Sequence, residues 1–193
     1  MERYPKVLVG KKCYLSPLAE DEIKTYYRWV NDRNITDTLL ITPPKTVSSE
    51  EEWVRQAKDR KNSVIFNIRA DDDKLVGNVG LEDICPVDRN AEFGILIGEK
   101  EYWGRGIGTE ATKLALIYGF YYLNLHSIFL EVYSFNKRAI KTYENVGFVH
   151  DGKLRDATFY HGKYYDTYFM SIIREEWKTP EYLMDLNGLK AHD

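Results

Sequence analysis

The chain is poor in the residues that build disulfide and metal frameworks. Its two cysteines, Cys13 and Cys85, stand far apart, and its four histidines (His126, His150, His161, His192) share no ligand spacing. A disulfide scaffold and a zinc enzyme are excluded on that pattern, so no metal and reduced thiols in a cytoplasmic protein are the expectation. A membrane-spanning run is missing too. The longest apolar stretch, Leu114–Leu125, is broken by Asn124 and carries three tyrosines, so no membrane partner is expected. The N-terminus shows no apolar run behind a basic start, which argues against a secretory signal. Cationic excess is absent as well: 27 Lys and Arg against 30 Asp and Glu leave a net charge of -3. A nucleic-acid partner is therefore not expected. There is no internal repeat, low-complexity tract or linker.

What remains is the composition of one soluble domain, with 193 residues, 44% hydrophobic and 30% charged. A strand is expected at Lys12–Pro17. Glu20–Asn31 reads as an amphipathic helix with Ile23, Tyr26, Tyr27 and Val30 on one side. Asn31–Thr46, with Pro43-Pro44, reads as a loop or broken helix. Ser48-Ser49-Glu50-Glu51-Glu52 places hydroxyl caps ahead of carboxylates and starts a helix running to about Lys61. Asn62–Ala70 and Lys74–Asp83 are strand-like around an Asp71-Asp72-Asp73 turn, and Ala91–Gly98 is a further strand. Ala111, Leu114, Ala115, Tyr118, Tyr122 and Leu125 mark one buried helix face. Ser127–Phe135 alternates as a strand, parallel to Ala91–Gly98 because a helix connects them. Asn136 fits an N-cap, Lys137–Val146 a short helix, and Gly147 its stop. Phe148–Asp156 and Thr158–Ile173 read as a hairpin-like pair with His161-Gly162-Lys163 at the turn. Arg174–Leu186 reads as a terminal helix around Trp177.

The segment Trp103-Gly104-Arg105-Gly106-Ile107-Gly108-Thr109 carries the chemistry. Glycines at this spacing let backbone N–H groups turn outward, and the helix that follows adds its unpaired N–H groups and the positive end of its dipole. That makes a seat for a phosphate or pyrophosphate, and so for a nucleotide-like cofactor. A dinucleotide-binding oxidoreductase fits poorly, because the turn lacks the Gly-x-Gly-x-x-Gly register.

Together, strand Ala91–Gly98, the glycine turn and Asn136-Lys137-Arg138-Ala139-Ile140-Lys141-Thr142-Tyr143-Glu144-Asn145-Val146-Gly147-Phe148 resemble the GNAT superfamily of N-acetyltransferases. Within it the chain is most similar to the ribosomal-protein alanine and spermidine acetyltransferase group. The resemblance is sharp from Leu75 to Phe148 and extends over about residues 12–173. It implies a single α/β (α+β) domain over residues 1–193, with a helical extension over about 174–187. A mixed sheet of six to seven strands, splayed at a parallel pair and flanked by helices, is implied with it. It also implies acetyl-CoA as cosubstrate and direct transfer to an amine, with no acyl-enzyme. The pyrophosphate loop maps to Trp103, Gly104, Arg105, Gly106, Ile107, Gly108 and Thr109. The pantetheine-pairing backbone, which would also hold the thioester oxygen, maps to Ile95, Leu96 and Ile97.

Asn136 would cap its helix and contact the cofactor together. Tyr143, by position alone a buried aromatic, falls on the family's tyrosine beside the cofactor sulfur and becomes the acid for the leaving thiolate. Glu92, 11 positions before Trp103, matches the base-like glutamate of histone-type members; its other reading is a structurally paired strand residue. Trp103 departs from the family, which often has Gln or Arg there. Glu110 suits the helix dipole but not a phosphate, so it should point away.

The acceptor side is expected at Trp29–Ser49 and Arg155–Tyr165. There Asp32, Asp37, Glu50, Asp156, Trp29, Phe159 and Tyr160 offer charge and cation–π contacts to an amine. A polyamine and a protein N-terminus both fit. A non-catalytic acyl-CoA-binding module is the alternative function, weakened by the joint presence of Tyr143 and Glu92. The late aromatics Tyr164, Tyr165, Trp177 and Tyr182 are read either as a homodimer contact or as core.

Overall fold

Alternating apolar residues and glycine-punctuated turns build an eight-stranded mixed sheet in the computed structural model, which describes residues 4–39 and 44–189. In chain order, β1 (Leu8–Val9) and β2 (Cys13–Pro17) form a hairpin, followed by α1 (Ile23–Val30), the single turn α2 (Arg33–Thr36) and α3 (Val47–Asp59). Then come β3 (Val64–Ala70), β4 (Leu75–Cys85), β5 (Asn90–Ile97) and α4 (Ile107–Ile117). The chain continues with β6 (Ser127–Tyr133), α5 (Lys137–Val146), β7 (Val149–Tyr160), β8 (Lys163–Ile173) and α6 (Glu181–Leu186). The strand order is β1-β2-β3-β4-β5-β6-β8-β7, and β5–β6 is the parallel pair. Among the described residues no helix is long and apolar enough to cross a membrane.

Strand periodicity divides the core between the two faces of the sheet. Phe66, Val79, Leu81 and Phe93 join Leu114, Ala115 and Ile140 in the large cluster under α4 and α5. On the opposite face Tyr26, Trp29, Ile35 and Val54 form a second cluster under α1 and α3, with Leu96 and Trp103 packed against it.

One local irregularity prepares the site. The parallel ladder of β5 and β6 has three pairs, Asn90↔Ser127, Ala91↔Ile128 and Glu92↔Phe129, and then stops. From there β5 stays with β4 to Ile97, while β6 stays with β8 to Tyr133. A wedge therefore opens beyond Glu92, and the β6-facing backbone of Phe93–Ile97 has no ladder partner.

Several expected boundaries shift, each for a physical reason. The sheet has one strand beyond the expected six to seven, and the two-residue β1 is too short to leave an alternating pattern. α3 is capped by Thr46, which exchanges a reciprocal pair of hydrogen bonds with Ser49, two residues ahead of the expected Ser48 start. α4 begins at Ile107 and passes into a wider π-type turn over Tyr118–Tyr122. The terminal helix is confined to Glu181–Leu186, with Pro180 at its N-cap, because proline disfavours helical backbone in Thr179 before it. Trp177 is buried in the main core beside Phe120, so it offers no surface, whereas Tyr164 is 64% exposed. Pro43 of the expected Pro43-Pro44 loop lies outside the described residues.

Candidate active site: two cavities that meet at the splayed strands

Gly104 and Gly106 both adopt positive φ, +75° and +82°, a region costly for any residue with a Cβ. The turn they make ends with Gly106 as the N-cap of α4, and no side chain caps the helix. The orphan N–H groups of the first turn therefore face a groove rather than a cap. That groove is lined by Ile95, Leu96 and Ile97 of β5, by Trp103, Gly104, Gly106, Ile107, Gly108 and Thr109, and by Asn136 and Tyr143 of the α5 region. The sequence-derived site residues thus come together, with two exceptions. Arg105 turns its guanidinium over the Tyr102 ring at 4.9 Å, and its carbonyl accepts from Lys12 Nζ at 2.9 Å. Glu92 lies further down β5, outside the groove.

Asn136 caps α5 by accepting from the Ala139 N–H at 3.2 Å while lining the groove. Tyr143 is buried, edge-on to Phe93 at 5.9 Å, and its hydroxyl has no hydrogen-bond partner among the described residues. Burial pushes its phenol up to about 12, so it is held fully protonated. Glu110 does point away: it accepts from Lys12 N, Cys13 N and the Tyr182 hydroxyl, tying α4 to β2 and α6. Trp103 finds its explanation here. Its indole N–H donates to the Ile97 carbonyl at 2.8 Å, fastening the loop to the end of β5, and its ring carries the Arg138 guanidinium at 4.2 Å. Sequence reasoning missed Arg138, Thr142 and Thr112 as groove residues; their proximity to Asn136 and Gly108 was the available signal.

A second cavity opens on the other face, lined by Tyr26, Trp29, Glu50, Trp53, Asn78 and Glu82. Gly80 and Gly94, partners across β4 and β5, form part of its floor, and a Cβ built at Gly94 would meet nothing within 4 Å. Trp29 packs so closely on the end of β5 that a Cβ at Gly98 would fall 2.1 Å from its ring; its indole N–H donates to buried Glu99. Glu50 is 6% exposed, and its carboxylate has no hydrogen-bond or ion-pair partner among the described residues. Burial raises its pKa, opposed by Lys45 at the cavity rim. The two cavities share Leu39, Ile95 and Leu96.

Of the expected acceptor residues, Trp29 and Glu50 line this cavity. The others do not, because they are engaged or exposed elsewhere. Asp32 caps α2 and pairs with Lys100 at 2.7 Å, and Asp37 accepts from Tyr160 and His161 at 3.2 Å each. Tyr160 stacks on Phe135, Phe159 is 61% exposed beside Tyr164, and Asp156 sits with positive φ at the bulge of β7. Tyr26, Trp53, Asn78 and Glu82 were missed, since they converge from three different elements. Glu92 stands opposite Glu82 in the β4–β5 register, which puts both side chains on the face of this second cavity. It is half-buried, with no hydrogen-bond or ion-pair partner among the described residues. Burial, then the charges of Glu131, Asp83 and Glu82, raise its pKa.

The family model of the acetyltransferase (GNAT) domain matches residues 12–149. The chain belongs to the GNAT family. It is an acetyl-CoA-dependent N-acetyltransferase, and the groove at the α4 N-terminus suits that cosubstrate in its glycine turn, in the N–H groups of the first helical turn and in having no carboxylate among its described lining residues. Among GNAT relatives, the spermidine N(1)-acetyltransferase of Escherichia coli is 40% identical over 170 residues, covering 86% of this chain and 90% of that one. The Vibrio cholerae spermidine N(1)-acetyltransferase is 31% identical over 169 residues, with 88% and 97% covered. A crystal structure of the Vibrio cholerae enzyme in complex with CoA and spermine superposes with a TM-score of 0.81 at 30% identity, over 86% of this chain and 98% of that one.

Proposed function

We propose that this GNAT enzyme acetylates a primary amine of a polyamine by direct transfer from acetyl-CoA. The observation that carries the acceptor assignment is Glu50: a buried, unpartnered carboxylate among Trp29, Tyr26 and Trp53, in a cavity that touches the donor groove. A linear polycation would pair with that carboxylate directly, which Lys45 at the rim does not, and would meet the aromatic faces through cation–π contact. The spermidine acetyltransferase relatives support the same reading.

The residues then take the following roles. Backbone N–H groups from Gly104 to Thr109 hold the pyrophosphate, and the side of Ile95–Ile97 that faces away from β4, beside the Ile97 carbonyl held by Trp103, aligns the pantetheine arm and the thioester oxygen. An alkyl amine in water titrates at about 10.4 and must lose a proton before attack. Glu92, at the point where the strands separate, takes that proton through water; its raised pKa makes it a stronger base than an ordinary carboxylate. The amine nitrogen bonds to the acetyl carbon, the C–S bond breaks, and Tyr143 protonates the departing thiolate; the second proton, which the nitrogen sheds as it becomes an amide, restores the Tyr143 phenol through water. Desolvation holds the phenol neutral, so that its proton is present to be given, and the same desolvation disfavours a bare thiolate beside it.

An acceptor screen following CoA thiol release tests the assignment, with polyamines, amino acids, aminoglycosides and peptides starting with Ala or Ser. Polyamines should give the highest kcat/KM. A clear preference for the peptides would replace this reading with protein N-terminal acetylation.

A further inference from the structure

The donor groove is electrostatically one-sided. Its described lining includes no carboxylate, although the chain carries more acids than bases, and its one charged residue is Arg138. Arg138 is exposed, and its guanidinium forms no ion pair or hydrogen bond among the described residues; it lies over the face of Trp103, 4.2 Å from the ring centroid. Stacking on an indole fixes the guanidinium plane and leaves its N–H edges free for a bidentate acceptor. Trp103 is itself fixed by the hydrogen bond to Ile97. Helix energetics point the same way. Lys137 and Arg138 occupy the first turn of α5, which holds no acidic residue, although cations there oppose the helix dipole. A cation kept at an unfavourable position, stacked but unpaired, suits an anion that arrives with a ligand.

We infer that Arg138, seated on Trp103, is a side-chain clamp for a phosphate group of the acetyl-CoA donor. The assignment rests on the donor reading of the groove. It also accounts for an aromatic residue at the start of the loop where the family often has Gln or Arg. Here Trp103 carries the cation supplied by α5 instead of contributing a polar group.

Calorimetric titration of Arg138→Gln with CoA, dephospho-CoA and acetyl-pantetheine tests this. A charge-assisted contact of this kind predicts a loss of CoA affinity of about tenfold to a hundredfold, together with a shallower salt dependence. Arg138→Lys should recover part of the affinity, and Trp103→Phe, which keeps an aromatic face, should lose less than Trp103→Leu. Equal losses for CoA and dephospho-CoA place the clamp on the pyrophosphate; a loss confined to CoA places it on the 3′-phosphate. Either result supports the clamp. CoA affinity within twofold of the parent at low salt would overturn it, as would an equal loss for acetyl-pantetheine, which has no nucleotide phosphate. Failure of the donor reading is separately visible, because the parent protein would then show no preference for CoA over acetyl-pantetheine.

Discussion

Tyr143→Phe separates chemistry from packing more cleanly than any other change at this site. The phenyl ring keeps the edge contacts to Phe93 and Phe148, at 5.9 and 5.8 Å, and what is removed is a hydroxyl without a hydrogen-bond partner among the described residues. Burying such a group costs about 1–3 kcal/mol in proteins, less where it touches water in an open groove. The variant should therefore melt at the same temperature or higher, at about 2–4 °C per kcal/mol for a chain of this size. Turnover should move the other way. A general acid contributes about 10²–10⁴-fold, or about 2.7–5.5 kcal/mol of barrier, so kcat should fall by that factor while CoA affinity stays within about twofold. With its pKa at about 12, the phenol stays protonated across the working range and should impose no basic limb below about pH 11. Stopped-time thiol-release assays, CoA titration and thermal melts measure all three. A variant retaining kcat within tenfold would remove Tyr143 as the acid. A melting temperature lowered by several degrees would show that its hydroxyl is bonded after all.

Three further changes address the rest of the site. Gly106→Val places a Cβ 2.6 Å from Lys12 Nζ in a backbone with φ +82°; CoA affinity should fall at least about tenfold, and an undiminished titration would refute the pyrophosphate seat. Glu92 must be ionised to act as base, and its raised pKa places the acid limb of kcat/KM above the ordinary carboxylate range. Glu92→Gln should abolish that limb. Glu131→Gln, which removes a neighbouring like charge, should slide it to lower pH, and an unmoved limb would sink the assignment. Glu50→Gln should raise the polyamine KM about tenfold and leave CoA binding unchanged. Because folding raises the Glu50 pKa, the folded state holds that proton more tightly, and stability falls as pH rises through the folded value. The glutamine variant should lose this component of the pH dependence in melting experiments.

The donor half of the site was legible because its determinants are local. Gly104, Gly106 and Gly108 announce a turn wherever they occur, and Asn136 with Gly147 brackets α5 by capping rules that need no tertiary partner. The acceptor half was not, because polar residues look alike in sequence whether paired or free. Asp32, Asp37 and Glu50 share one loop-and-helix region, yet the first two are engaged by Lys100, Tyr160 and His161, and only Glu50 reaches a cavity. The strand glycines Gly80 and Gly94 carried a weak signal, since glycine inside a strand often marks close approach or open space. Trp103 could not be explained without its contacts to Ile97 and Arg138, both tertiary. The terminal helix begins only after Pro180 rather than at Arg174, and that boundary is legible in the proline itself.

The stop in the β5–β6 ladder after Glu92 links the two halves. With period-two alternation, Ile95 and Leu96 turn to opposite faces of the sheet, and with no β6 partner beside them the sheet is open between the faces. The donor groove lies toward α4 and α5, the acceptor cavity toward α1 and α3, and both reach these same two residues. Two substrates approaching from opposite sides can meet there without a relay. Neither thiol is placed to act as one. Burial, reinforced by the adjacent Glu110 carboxylate, raises the Cys13 pKa well above the ordinary value, and Cys85 sits at the β4–β5 turn beside Asp88. Neither cysteine lines either cavity. The opening in the sheet thus fits the direct transfer proposed above, because it brings donor and acceptor together at a place that neither cysteine lines.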